Sequence, residues 1–147
     1  MRFTGHRQLR HDTPEWVGAE ADYFITVCAE TRGRNHFCRD KVGSVILESI
    51  EHRHERAIWF CDLAVLMPNH IHLILSFPDL PSISKVIGEW KRWLARTQKL
   101  RWQPNFFDHR IRNEADRGKA DYILENPVRA GLVEKPEDWP WIWMPKS

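Results

Sequence analysis

Met67-Pro68-Asn69-His70-Ile71-His72-Leu73-Ile74-Leu75 is the stretch on which the fold of this chain turns. Pro68-Asn69 is turn chemistry: proline presets its own φ, and the asparagine side chain can bond its own backbone. Ala57 to Leu66 before it and His70 to Phe77 after it are runs of apolar and β-forming residues. Two such runs joined by so short a connection predict an antiparallel hairpin. In the second strand the period of two sends His70, His72, Ile74 and Ser76 to one face and Ile71, Leu73, Leu75 and Phe77 to the other. One face is core, and the other carries two imidazoles about 6 to 7 Å apart along the chain. Neutral imidazole is the commonest protein metal ligand, so the pair reads as part of a metal site that needs a third ligand. A structural pair, each ring bonded to a carbonyl or a neighbouring side chain, produces the same pattern. The triplet alone leaves both readings open.

Outward from the hairpin, strands and helices alternate. Tyr23 to Cys28 is rich in β-formers and predicts a first strand. Asp40 is placed to cap a helix running to about His54, with Val42, Val45, Ile46, Leu47 and Ile50 as its apolar stripe. His52-Arg53-His54 repeats the histidine triplet where that helix ends, and residues two apart on a helix do not face each other. Beyond the hairpin, Ile83, Val86, Ile87, Trp90 and Leu94 recur at helical spacing. Phe106 to Arg112 predicts a fourth strand, and Asn113 caps a last helix from Glu114 to about Glu125, stopped by Pro127. The order βαββαβ predicts an α+β fold, a ferredoxin-like split-βαβ antiparallel sheet, with an added C-terminal helix carrying Tyr122. Residues 1–147 read as a single domain with a basic N-terminal arm over 1–20 and a Trp/Pro-rich tail over 134–147. Trp139, Trp141 and Trp143 in that tail read as packing.

Composition narrows the class. With 147 residues, 42% hydrophobic and 29% charged, the chain has the balance of a soluble globular protein with one core. No run is long enough to span a membrane, and residues 1–20 carry charges where a signal peptide needs an apolar stretch, so a cytoplasmic location is expected. Cys28, Cys38 and Cys61 are odd in number and lack Cys-x-x-Cys spacing, which predicts reduced, mostly buried thiols.

Net charge is only +2, but its distribution is uneven. Between Ile83 and Arg101 stand Lys85, Lys91, Arg92, Arg96, Lys99 and Arg101 against one acid, Glu89. Lys85, Arg92, Arg96 and Lys99 fall on the outer side of an amphipathic helix. Arg2, Arg7 and Arg10 crowd the N-terminal arm, and Trp93 and Trp102 are interleaved with the charges. Cations that release counterions from phosphates, beside rings on which bases stack, suit single-stranded nucleic acid.

Asp121-Tyr122-Ile123-Leu124-Glu125-Asn126-Pro127 is the second constellation. Tyr122 and Asn126 are four apart and share a helix face. If that face looks at the histidine strand, the Asn126 amide oxygen completes a divalent metal site with the phenol beside it. If not, Tyr122 is a half-buried packing residue with its hydroxyl at the rim. Tyr23 is the other tyrosine in the chain.

Met-Pro-Asn-His-Ile-His-Leu-Ile (67–74), Phe-Phe-Asp-His-Arg-Ile-Arg (106–112), Asp-Tyr-Ile-Leu-Glu-Asn-Pro-Val-Arg-Ala-Gly-Leu-Val (121–133) and Pro-Glu-Asp-Trp-Pro-Trp (136–141) resemble, in order and spacing, the REP-associated tyrosine transposases. These belong to the HUH single-tyrosine transposases, where U is a hydrophobic residue. The resemblance runs from about Tyr23 to Trp141. It implies a metal-dependent enzyme that cleaves and rejoins single-stranded DNA near REP-type hairpins during DNA transposition. On that pattern His70, His72 and Asn126 bind Mg²⁺ or Mn²⁺. Tyr122 attacks a phosphodiester, forming a 5′-phosphotyrosine and freeing a 3′-hydroxyl. A free phenol titrates at about 10 and needs activation, while the covalent link conserves the bond for rejoining. The implied partners are single-stranded DNA and DNA hairpins, gripped by Arg2, Arg7, Arg10, Lys85, Arg92, Arg96 and Lys99, with the protein a monomer or a homodimer.

The rival from another class is a non-catalytic hairpin-binding protein derived from a transposase, which needs the basic surface but not His70, His72, Tyr122 and Asn126 together. A histidine-triad phosphohydrolase would need a third histidine where the chain has Ile74. Lys119, three before Tyr122, and Asp108 and His109 in the fourth strand are further neighbours to place. Arg117-Gly118-Lys119-Ala120 departs from the family's usual run before the tyrosine, and Gly118 within a helix costs about 1 kcal/mol relative to alanine.

Overall fold

The hairpin predicted at Pro68-Asn69 is the centre of the sheet in the computed structural model, which describes residues 22–78, 83–111 and 118–146. In chain order the elements are β1 (Asp22–Cys28), α1 (Asp40–Glu55), β2 (Phe60–Leu66), β3 (His70–Ser76), α2 (Ile83–Gln98), β4 (Phe107–Ile111), two short helices α3 (Lys119–Leu124) and α4 (Asn126–Arg129), a 3₁₀ turn Pro136–Asp138, and β5 (Ile142–Trp143). The strands lie in the order β4-β1-β3-β2-β5, and every neighbouring pair is antiparallel. The α+β, split-βαβ expectation is met, and β5 is an addition to it.

Each face of the sheet has its own core. Ile25, Val27, Ile71, Leu73 and Leu75 point to the side covered by α1 and α2, where they meet Ile46, Ile50, Val86, Ile87, Trp90 and Leu94. The two innermost indoles meet edge to face at 5.3 Å, and both N–H groups are satisfied, Trp90 on Ser49 Oγ at 2.9 Å and Trp59 on the Ile50 carbonyl at 3.3 Å. The opposite side holds a smaller cluster in which Ala120, Ile123 and Leu124 of α3 pack on Leu63, Val65, Ile74 and Ile111. The alternation predicted for β3 is therefore the observed one.

A bulge at Asp62 in β2 sets which residues reach each side. Cys61 is opposite Leu75 but Leu63 is opposite Ile74, a slip of one residue. Because side chains alternate with period two, that slip moves Leu63 and Val65 onto the face that α3 covers.

Several boundaries differ from expectation for definable reasons. Residues 57–59 are not strand: Ala57 takes a left-handed φ of 58° and the amide of Ile58 donates to the Arg53 carbonyl at 3.0 Å, closing α1 with a Schellman-type cap. Asp40 is not the cap of α1, since Arg39 holds that place, and Asp40 acts as a first-turn acid at the helix's positive end. Pro127 does not stop the last helix but sits in the first turn of α4, where a missing N–H costs nothing. The proposed cap Asn113 and the arm over 1–20 lie outside the described residues.

The tail is structural. Trp139 Nε1 donates to the Leu66 carbonyl at 2.9 Å, Trp143 Nε1 to Glu51 Oε1 at 3.0 Å, and Trp141 lies against Gly43. His54 is structural as well, accepting the Cys61 amide at 3.0 Å. All three cysteines are free thiols; Cys61 is buried and the other two are half-buried. Among the described residues no helix is long and apolar enough to cross a membrane.

Candidate active site

His70 and His72 project from the face of β3 that α3 covers, with ring centroids 4.7 Å apart and planes at 75°. Each ring is held by a neighbour through Nδ1. His70 Nδ1 is 2.8 Å from Asn69 Oδ1, and His72 Nδ1 is 2.9 Å from Thr26 Oγ1, the residue directly opposite it on β1. With Nδ1 occupied in both rings, Nε2 is the nitrogen left to ligate, which is how metal-binding histidines are usually oriented. Burial lowers the pKa of His70, and burial first, then the charges of His70 and Arg129, pushes His72 down to about 3. Both rings are neutral at pH 7, the form a metal needs. The donor set fits a divalent cation in type. Among the described residues no group of three or more His, Cys, Asp or Glu could hold a metal.

Cys28 stands opposite His70 in the register, its thiol raised by burial against the lowering pull of Arg32 and Lys91. A cleft of about 260 Å³ opens beside His70, lined by Cys28, Ala29, Arg32, Asn69 and Gln103. An exposed guanidinium and two amides make its rim polar.

Tyr122 is on the same side of the sheet. Ala120, Ile123 and Leu124 bury the inner face of α3, which leaves Tyr122 pointing outward and 60% exposed. Lys119 Nζ lies 5.7 Å over the Phe24 ring, whose centroid is 5.3 Å from that of His72. Asn126 opens α4, half-buried and four residues after Tyr122. The two are on successive short helices rather than one, joined through Glu125 in αR conformation. The amide of Glu125 donates to Asp121 and that of Arg129 to Glu125, so helical spacing is kept across the junction.

Arg129 escaped notice in the sequence. Its guanidinium carbon lies 3.7 Å from the centroid of the Tyr122 ring, and Nη2 donates to the Tyr122 carbonyl at 2.8 Å. Seven residues is two helical turns, and that spacing from Tyr122 was the available signal. Phe107 was also missed. It is 68% exposed and opposite Thr26, so it shares a row with Thr26 and His72 across β4, β1 and β3, about 10 Å from the histidine at two strand spacings. His109 faces the same side through its pairing with Phe24, whereas Asp108 pairs with Ile25 and turns away.

The basic helix is not part of this constellation. Lys85, Arg92, Arg96 and Lys99 are exposed on or just beyond α2, which packs on the opposite side of the sheet from His70 and His72. Lys91 is committed to structure, its ammonium donating to the carbonyls of Gln103 at 2.9 Å and Asn105 at 3.4 Å. Arg2, Arg7 and Arg10 lie outside the described residues.

No protein-family model matches the chain. It is 28% identical over 139 residues to a Haemophilus influenzae protein named as a REP-associated tyrosine transposase, covering 81% of this chain and 77% of that one. It is 38% identical over 81 residues to an Escherichia coli REP-associated tyrosine transposase, covering 52% of this chain and about half (49%) of the relative. The fold superposes with a TM-score of 0.72 and 28% identity on a solved REP-associated tyrosine transposase bound to a REP hairpin, covering 83% of this chain and 75% of that one.

Proposed function

We propose, from the premise that the chain belongs to the REP-associated tyrosine transposases, that it cleaves and rejoins single-stranded DNA beside REP-type hairpins, with Tyr122 as the nucleophile. The observation that carries this reading is the exposed phenol on α3, a helix packed over the same sheet face from which His70 and His72 project. A packing tyrosine would bury its ring, and a purely DNA-binding relic would need neither the paired imidazoles nor an exposed phenol on the same side of the sheet.

In the reaction the Tyr122 oxygen gives up its proton and forms a bond to phosphorus. The bond from phosphorus to the 3′-oxygen breaks, its electron pair stays on that oxygen, and the oxygen takes up a proton. The products are a 5′-phosphotyrosine and a free 3′-hydroxyl, and attack by a 3′-hydroxyl reverses the step. No water is consumed, so a strand can be passed from one end to another. His70 and His72, through Nε2, with the Asn126 amide oxygen as third donor, would hold Mg²⁺ or Mn²⁺, whose chemistry there is to polarise a phosphate oxygen. Thr26 Oγ1 and Asn69 Oδ1, each at one Nδ1, would orient the two imidazoles with Nε2 as the ligating nitrogen. Phe107 offers a ring on which an unpaired base can stack. The stripe of Lys85, Arg92, Arg96 and Lys99, across the sheet, serves a different length of the DNA backbone.

The test is incubation with labelled REP-type hairpin oligonucleotides carrying single-stranded flanks, plus Mn²⁺, followed by denaturing electrophoresis. A denaturation-resistant protein–DNA species is expected from the wild type. Tyr122→Phe should lack it yet still bind the hairpin, and the double change His70→Ala, His72→Ala should abolish the metal dependence. Adduct formation by Tyr122→Phe would remove this residue from the role.

A further inference from the structure

We propose that Arg129 is a second catalytic residue, its guanidinium gripping the non-bridging oxygens of the phosphodiester that Tyr122 attacks. This rests on the strand-cleavage reading and adds to it a residue that acts on the phosphate.

The geometry commits one part of the side chain and leaves the rest available. The guanidinium lies over the phenol ring at 3.7 Å and spends one donor on the Tyr122 carbonyl at 2.8 Å. An arginine has five N–H donors in a rigid fork, so several remain for an anion, and the fork matches phosphate oxygens in pairs. Arg129 is itself exposed, as is Tyr122, so a DNA strand can reach both.

The exposed guanidinium against the exposed phenol puts a fixed positive charge next to the attacking group. A phosphodiester brought to the Tyr122 hydroxyl meets that charge, and the guanidinium's free donors favour the negative charge that builds on the phosphate oxygens as the bond to phosphorus forms. The stacking and the carbonyl bond also join Arg129 to Tyr122 as one unit, so any movement of α3 and α4 carries nucleophile and phosphate grip together.

Arg129→Ala and Arg129→Lys separate this from a purely structural role. At saturating hairpin DNA, Arg129→Ala should form the covalent adduct about 100- to 1000-fold more slowly, with hairpin affinity and melting temperature little changed. Arg129→Lys should recover part of the rate, since a point charge replaces the fork. The deciding measurement uses a methylphosphonate at the cleaved position, which replaces a charged oxygen with a methyl group. There the ratio of wild-type to Arg129→Ala rates should collapse towards one, because the charge that Arg129 grips is gone. An unchanged ratio on the methylphosphonate, or an Arg129→Ala rate equal to wild type on ordinary DNA, overturns the proposal. Absence of adduct from the wild type itself would instead overturn the strand-cleavage reading.

Discussion

Thr26 and His72 face each other directly across β1 and β3, and their side chains meet at 2.9 Å between Oγ1 and Nδ1. On the proposed function, with Nε2 as the ligating nitrogen, His72 would donate its Nδ1 proton to the threonine hydroxyl. Thr26→Val keeps the shape and deletes the acceptor, freeing the ring to turn or change tautomer. Metal affinity should fall about 10- to 100-fold, as for other changes just behind a ligand, measured by Mn²⁺ titration. Unchanged affinity would show that the bond does not orient the ring.

The lowered pKa of His72, with His70 shifted the same way, makes stability depend on pH. In the unfolded chain a histidine binds a proton near 6.5, whereas folded His72 resists it down to about 3. The contribution is complete above pH 6.5 and is lost as pH falls towards 3, because the unfolded state alone takes up the proton. Metal-free protein should lose stability more steeply than His72→Gln between pH 6 and 4, by up to about 1.4 kcal/mol per pH unit. Denaturant titrations across that range check the difference in slope, and equal slopes would contradict it.

Phe107 presents an exposed ring in the same row as Thr26 and His72. Phe107→Ala should weaken binding of hairpins with single-stranded flanks by about 1 to 3 kcal/mol and leave blunt hairpins bound as before. Anisotropy titrations with the two oligonucleotides read the contrast. Equal losses on both would argue against stacking of an unpaired base.

Gly43 lies directly under Trp141, and a Cβ there would stand 2.6 Å from Cε3 of the indole. The indole belongs to the tail whose carbonyl at Trp141 accepts the Leu66 amide at 2.9 Å, so its position is held from two sides. Gly43→Ala should destabilise by about 1 to 3 kcal/mol through overpacking, measured by urea denaturation. A neutral result would mean that the tail shifts freely away from α1.

The sequence by itself determined the alternation of elements, the hairpin at Pro68-Asn69, the face of β3 that carries His70 and His72, and the packing role of the tryptophan tail. These are local matters: a period of two or of 3.6, and turn chemistry at fixed offsets, are written in neighbouring residues. The tertiary structure alone decided what meets across the sheet. Thr26 behind His72, and Phe107 beyond Thr26, follow from strand register between residues far apart in the chain. The bulge at Asp62, which turns Leu63 and Val65 towards α3, has no signature in an apolar run. The basic stripe read from α2 was correct as a pattern, but only the packing of Val86, Ile87, Trp90 and Leu94 put it on the side away from the histidines. Periodicity tells which side of a strand or helix is buried, while the choice of partner depends on how all the buried faces close together.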